Sequence, residues 1–257
     1  MVKKRLIFTL LYRNGKFHLS RNFTLQSVGD LAWIKKNYDF ENITQYIDEL
    51  IILNVDRSTI ISDHYLNSVK HLVRECFIPI ACGGGIKTVE DAYNLLTAGA
   101  DKVVINSLMT ENRSEVEKII EHFGSQFVVG SIDYKTTAVG SFLFSQCGQK
   151  NTEIRLEEGV TMYQDIGIGE LYLTSIQKDG TGQGFDLSVV NKLAGLVKLP
   201  VIVAGGAGKP EHFEQAFAIK GVNAVATANL FNFMSGGLRD ARSYLTNKGV
   251  NLASWKS

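Results

Sequence analysis

The chain is short of most features that mark a specialised environment. Its 257 residues hold three cysteines, Cys76, Cys82 and Cys147, an odd number with unrelated spacings. Neither a disulfide framework nor a zinc site follows from them. The five histidines are scattered, and no pair has metal-ligand spacing, so no metal is expected. Charge of either sign is nearly balanced at a net +1, which argues against general binding to nucleic acid or to a membrane surface. No apolar run approaches the roughly 18 residues of a spanning helix. The start, MVKKRLIFTLLYRNG, joins a basic end to a short apolar run but lacks a small-residue cleavage site. That run serves better as a first strand. Together these absences predict a cytoplasmic globular protein with no cofactor.

What is present is a core-forming composition, 45% hydrophobic and 21% charged. That suffices for one large core, and α/β barrels of this length commonly form one domain. No linker or low-complexity segment divides residues 1–257, and a single domain is expected. The most informative stretch is IPIACGGGIKTVEDAYNLLTAGADKVVINS, ending at Ser107, because it occurs twice. The second copy is LPVIVAGGAGKPEHFEQAFAIKGVNAVATAN, from Leu199 to Asn229. Pro79 answers Pro200, and Gly84 and Gly85 answer Gly205 and Gly206 at the same offset. Each copy passes from apolar residues through small ones into an amphipathic helix, then to Gly and a buried run, the pattern of a parallel βαβ unit.

The repeat extends further. FVVGSIDY (127–134) answers RLIFTLLY (5–12), so that Asp133 falls opposite Leu11, and Glu170 answers Glu49. The chain therefore reads as two half-units of similar length, about residues 1–122 and 123–257. Eight short strands alternate with helical patterns: Arg5–Leu11, Glu49–Val55, Pro79–Cys82, Lys102–Ile105, Phe127–Asp133, Glu170–Ser175, Val201–Ala204 and Ala224–Thr227. They are rich in β-branched residues, as strands buried on both faces are. Helices are expected over 62–76, 88–99 and 114–123, among others. The pattern predicts a (β/α)8 TIM barrel of two duplicated half-barrels, with a doubly wound open sheet as the alternative.

In such a barrel the chemistry sits at the C-terminal strand ends. The glycine pairs leave backbone N–H groups uncovered where a strand hands over to a helix, which favours an anion. Asn106-Ser107 and Ala228-Asn229, at the next strand ends, supply further donors. A single copy would read as a tight turn. Two copies, each with its partner strand end, predict two phosphate sites and a phosphorylated small-molecule ligand. The segment Arg13–Asp30 reads as a polar loop without an element of its own, either a lid over the mouth or plain surface. Lys135–Asn151 is its counterpart in the second half.

Taken together, ACGGGI (81–86), GADKVVINS (99–107), LTSIQKDGTGQGFD (173–186) and VAGGAGKPEHF (203–213) resemble the cyclase subunit of imidazole glycerol phosphate synthase over nearly the whole chain. That resemblance implies a duplicated half-barrel that receives ammonia from a glutaminase subunit docked on its N-terminal face. The ammonia would pass through the barrel to a substrate with a phosphate at each end. Family phosphate positions fall on Gly85, Asn106 and Ser107 in one half and on Gly206, Ala228 and Asn229 in the other, the last being serine in the family. A charged ring where ammonia enters falls on Arg5, Glu49, Lys102 and Glu170, with ordinary salt bridging at strand starts as the plainer alternative. Thr174 and Asp179 are further mouth residues.

Two family aspartates, on strands one and five, act as general acid and base. Strand five keeps Asp133, but strand one has Leu11. The family's lysine on the first loop is Leu19, and a strand-two aspartate is Asn54. Leucine neither donates nor accepts a proton, and loss of one positioned acid or base typically costs about 10²–10⁴-fold in rate. The pattern resembles the paralogous cyclase-like subunits of surface-polysaccharide synthesis. In that branch the barrel and its glutaminase supply ammonia to an N-acetyl sugar amidotransferase, which turns an acetamido group into an acetamidino group. The segment 31–53, in place of the family's usual first helix, fits the same branch. Three functions therefore compete: an ammonia-conducting barrel with impaired cyclase chemistry, a working histidine-pathway cyclase in which Asp179 or Tyr12 replaces the missing acid, and a non-catalytic activator of the glutaminase.

Overall fold

The computed structural model describes residues 3–37, 44–56, 61–228 and 237–253. Eight parallel strands close on themselves: β1 (Arg5–Arg13), β4 (Glu49–Asn54), β5 (Ile80–Gly83), β6 (Lys102–Ile105), β7 (Val128–Thr137), β10 (Glu170–Ser175), β11 (Val201–Ala204) and β12 (Val222–Thr227). Closure comes from pairing of β7 with β10, in the register Asp133 opposite Thr174, and of β12 with β1. The open-sheet alternative is thereby excluded, and all eight expected strands are present.

Two cores result. Inside the barrel pack Ile7, Ile51, Val104, Val129, Tyr172, Ile202 and small alanines. Outside, the opposite faces of the same strands pack on helices, so β-branched residues occupy both sides. Helix ends follow sequence chemistry. Thr88 and Asp91 form a capping box at α3 (Val89–Thr97). Ser62 caps α2 (Asp63–Glu75), and Asn112 caps α5 (Arg113–Phe123). Of the segment at 31–53, α1 (Leu31–Asn37) is helical, while residues 38–43 lie outside the described residues. Among the described residues no helix is long and apolar enough to cross a membrane.

Equivalent strands make equivalent bonds. The Val55 N–H donates to the Tyr12 carbonyl at 2.8 Å, as Ile176 does to Tyr134 at 3.0 Å. The Leu50 N–H donates to Pro79 and the Leu171 N–H to Pro200, both at 2.9 Å. Gly84 and Gly205 have φ of 91° and 84°. A Cβ would lie 1.8 Å from the Asn54 carbonyl oxygen at Gly84 and 2.6 Å from that of Ser175 at Gly205. Only glycine lets the chain press this closely on the preceding strand end.

The segment Arg13–Asp30 departs from the reading as a loop. It continues β1 into a hairpin, β2 (Lys16–Arg21) and β3 (Thr24–Gly29), in antiparallel register with Tyr12 opposite Phe17. The turn is Asn14-Gly15, with φ of 49° and 76°, a pair that suits the primed turns of tight hairpins. The counterpart is also a hairpin: β7 runs on into β8 (Gly140–Ser145) and β9 (Lys150–Arg155).

Candidate functional site at the barrel mouth

Alternation along each strand decides which side chains enter the barrel. On β1 these are Arg5, Ile7, Thr9 and Leu11; on β7 they are Val129, Ser131 and Asp133. Contact confirms the phase, since the Thr9 hydroxyl lies 3.3 Å from the Tyr172 hydroxyl inside the barrel. Leu11 and Asp133 thus both face inward near the C-terminal ends of β1 and β7. Leu11 is flanked by Leu53 on β4, and Leu53 packs against the inner cluster. One side of the mouth is therefore hydrocarbon and the other carries Asn106, Asp133 and Thr174.

The Asn106 amide donates to the Asp133 carboxylate at 3.0 Å, and Thr174 bonds the same group. Burial, reinforced by the charge of Asp179, nevertheless pushes the Asp133 carboxyl up to about 7. Desolvation disfavours the ionised form more than two hydrogen bonds favour it. The result is a proton-exchanging group poised for neutral pH. Asn106 accordingly meets Asp133 with its side chain, which the expectation of a phosphate donor did not include.

Of the other expected residues, Gly85 and Gly206 have φ of 83° and 111° and stand at the strand-to-helix turns. Ser107 begins the five-residue helix α4 (Ser107–Glu111), and its hydroxyl oxygen accepts the Gln146 N–H at 3.4 Å. Ala228 follows β12; Asn229 lies outside the described residues. Asn54, at the position of a family aspartate, accepts the Asp56 N–H at 3.1 Å. Tyr12, one proposed substitute acid, points outward among Phe17 and Tyr65, because it is one residue out of phase with Leu11. Asp179, the other, is buried and already engaged: it accepts the Ser20 hydroxyl at 2.5 Å and the Phe23 N–H at 3.1 Å. Its pKa is raised, mainly by burial.

Those bonds reveal what the two hairpins do. The tip of β2–β3 crosses the mouth to the segment after β10. The Asn22 amide donates to the Ile176 and Gln177 carbonyls at 3.3 and 2.9 Å, and its N–H to the Asp179 carbonyl at 2.9 Å. The tip of β8–β9 crosses the other way, reaching Ser107 and, through the Cys147 thiol at 3.9 Å, the Val55 carbonyl. A Cβ on Gly148 would stand 2.7 Å from the Phe23 ring, so the two tips meet. The Asn-Gly dipeptide was the one sequence signal for the first hairpin. Nothing local signals the crossing.

At the opposite end of the barrel, Arg5, Glu49, Lys102 and Glu170 close into a ring. Arg5 bonds Glu49 at 2.5 Å and also pairs with Glu170; Lys102 bonds Glu49 at 3.1 Å and Glu170 at 3.3 Å. Burial raises the Glu49 pKa against the opposing pull of Lys102 and Arg5. Each cation touches both carboxylates, and each carboxylate both cations. The four charges brought together by closure thus compensate one another. Among the described residues no cluster of His, Cys, Asp and Glu could hold a metal ion.

The family model described as "Histidine biosynthesis protein" matches residues 24–235. A protein of Parasynechococcus marenigrum (strain WH8102), provisionally named imidazole glycerol phosphate synthase subunit hisF2, is 38% identical over 99% of this chain and 95% of its own length. The imidazole glycerol phosphate synthase subunit HisF of Saccharolobus solfataricus is 35% identical over 98% of this chain and 99% of its own. That of Thermotoga sp. (strain RQ2) is 37% identical over 98% of each.

Proposed function

Because the chain belongs to the histidine biosynthesis protein family, with relatives named as the HisF subunit of imidazole glycerol phosphate synthase, we propose that it is an ammonia-conducting barrel subunit of a glutamine-dependent amidotransferase whose own ring-closing chemistry is impaired. The observation that carries this reading is Leu11. It occupies the inward face at the mouth, on the strand equivalent to that of Asp133, where a second carboxyl would be needed. A hydrocarbon there leaves one proton-exchanging group, and addition of ammonia followed by ring closure calls for an acid and a base.

The charged ring supports the other half of the reading. A glutaminase docked on the N-terminal face would deliver ammonia at Arg5, Glu49, Lys102 and Glu170. Between the ring and the mouth the interior is lined by Ile7, Ile51, Val104, Val129 and Tyr172. An unpaired ammonium ion is costly in such surroundings, whereas neutral ammonia is not. The acceptor on this reading is the acetamido group of a sugar, handled by a separate N-acetyl sugar amidotransferase. Phosphate groups would sit at the two glycine turns, beside Gly85, Asn106 and Ser107 and beside Gly206, Ala228 and Asn229.

A second reading, an active cyclase of histidine biosynthesis, is favoured by Asp133 itself, which is in place and titrates near 7. Steady-state turnover with free ammonium and the histidine-pathway nucleotide separates the two. Little or no turnover is expected, and Leu11→Asp alone does not restore it while Leu19 and Asn54 remain. Turnover in the usual enzymatic range of about 1–10³ s⁻¹ would establish the cyclase reading instead. Glutaminase-derived ammonia is expected to support amidination only with the third protein present, and Lys102→Glu to uncouple its delivery.

A further inference from the structure

Thr9 and Tyr172 meet inside the barrel although no strand pairing brings them together. Tyr172 lies on β10 and Thr9 on β1, with β11 and β12 between them in the closed sheet. Their hydroxyls nevertheless stand 3.3 Å apart, so the tyrosine reaches along a chord of the lumen. The two intervening strands leave room for it with small inward residues, Ala204 on β11 and Ala224 and Ala226 on β12. Both partners are sealed from solvent, Thr9 at 3% exposure and Tyr172 at 4%.

The height of the pair in the barrel is what makes it consequential. Along β10, Tyr172 stands between Glu170 of the charged ring and Thr174 at the mouth; along β1, Thr9 stands between Ile7 and Leu11. Whatever moves from ring to mouth through the lumen meets the two hydroxyls amid hydrocarbon from Ile7, Ile51 and Ile202. Ser131, the neighbour of Tyr172 on β7, adds a third buried hydroxyl residue on the inward face. Thr174 engages both the Tyr172 hydroxyl and the Asp133 carboxylate, so the pair is the lowest step of a polar line that ends at Asp133. Burial pushes the Tyr172 hydroxyl up to about 12, which keeps it a neutral donor.

A separation of 3.3 Å is long for two hydroxyls, whose bonds are commonly about 2.7–2.8 Å. The contact is therefore weak and opens at little cost. Each hydroxyl can both donate and accept. Neutral ammonia has the complementary set, since its lone pair accepts from one O–H while an N–H donates to the other oxygen. An ammonium ion has no lone pair, and the surrounding hydrocarbon penalises its charge. We propose that Thr9 and Tyr172 form an internal binding site for neutral ammonia, with the Tyr172 side chain as a bar across the lumen that ammonia displaces by inserting between the two hydroxyls. The inference rests on the ammonia-conducting reading and adds to it a station between the ring and the mouth.

The test is NMR of the full chain carrying tyrosine labelled with carbon-13 at Cζ, the ring carbon that bears the hydroxyl. The Tyr172 signal is the one absent from Tyr172→Phe. In mildly alkaline buffer, ammonium chloride is expected to move that signal saturably, and sodium chloride of equal ionic strength to leave it unmoved. In Thr9→Val, close to threonine in shape, the dissociation constant read from Tyr172 rises about tenfold, as for loss of one hydrogen bond; an unchanged melting curve will show that the variant folds. A Tyr172 response that is the same in Thr9→Val would overturn the pair as the site. Shifts confined to the backbone amides of Glu49 and Lys102, with Tyr172 unmoved, would overturn the site while leaving the ring as an entrance. No response at either level would also overturn it. A saturable Tyr172 response in a chain to which no glutaminase delivers ammonia would uphold the site and overturn the delivery reading alone.

Discussion

Asp133 offers a measurable consequence of the mouth's architecture. Its carboxyl ordinarily titrates at 3.8 and is pushed up to about 7 in the fold. Between those values the folded chain keeps a proton that the unfolded chain has released. Stability from this group is therefore greatest at low pH and falls as pH rises from about 4 to about 7, with the full penalty present above. At about 1.4 kcal/mol for each pH unit, the ceiling is about 4 kcal/mol. Asp133 remains partly accessible through the mouth, and solvent screening brings the figure nearer 2 kcal/mol. The perturbation is Asp133→Asn, which removes the charge, nearly keeps the shape and lets an amide oxygen accept the Asn106 bond. Urea unfolding of both proteins at pH 4 and pH 8 supplies the comparison. The variant is expected to match the wild type within about 0.5 kcal/mol at pH 4 and to exceed it by about 2 kcal/mol at pH 8. Equal differences at the two pH values would refute the argument, since they would mean that Asp133 titrates alike in the folded and unfolded chain.

Lys102→Met leaves Glu49 and Glu170 sharing Arg5 alone, and urea unfolding is expected to show a loss of about 2 kcal/mol. This is less than for a fully buried pair, because the Lys102 side chain is 23% exposed. Gly84→Ala is expected to cost more than about 2 kcal/mol, because it adds a collision with Asn54 to an unfavourable φ, whereas Gly15→Ala, with open space around it, costs about 1 kcal/mol; thermal melts rank the two. Asp179→Ala should release the first hairpin, and limited proteolysis is expected to cut between Lys16 and Gly29 at least several-fold faster; an unchanged pattern would show that the Asp179 bonds do not hold it.

The barrel strands were legible because a parallel strand buried on both faces needs a short β-branched run, and eight such runs are visible. Their repetition placed Asp133 opposite Leu11 and Gly84 opposite Gly205. The ring of Arg5, Glu49, Lys102 and Glu170 was expected from the family resemblance and not from position, and the alternation of side chains along the assembled strands accounts for its inward direction. The hairpin over Arg13–Asp30 was half legible: Asn14-Gly15 is a turn signal, but the exposed strand β3 lacks the strong alternation that marks a half-buried one. What no reading along the chain contains is the set of contacts made on assembly. Asn106 donates to Asp133 because β6 lies beside β7, and Ser20 and Phe23 hold Asp179 because pairing of β7 with β10 and of β12 with β1 brings distant strand ends around one mouth. Burial likewise decided the titration of Asp133. An aspartate letter carries its ordinary pKa, and the change to about 7 arises from the loss of water and the nearby charge of Asp179, both properties of the assembled barrel.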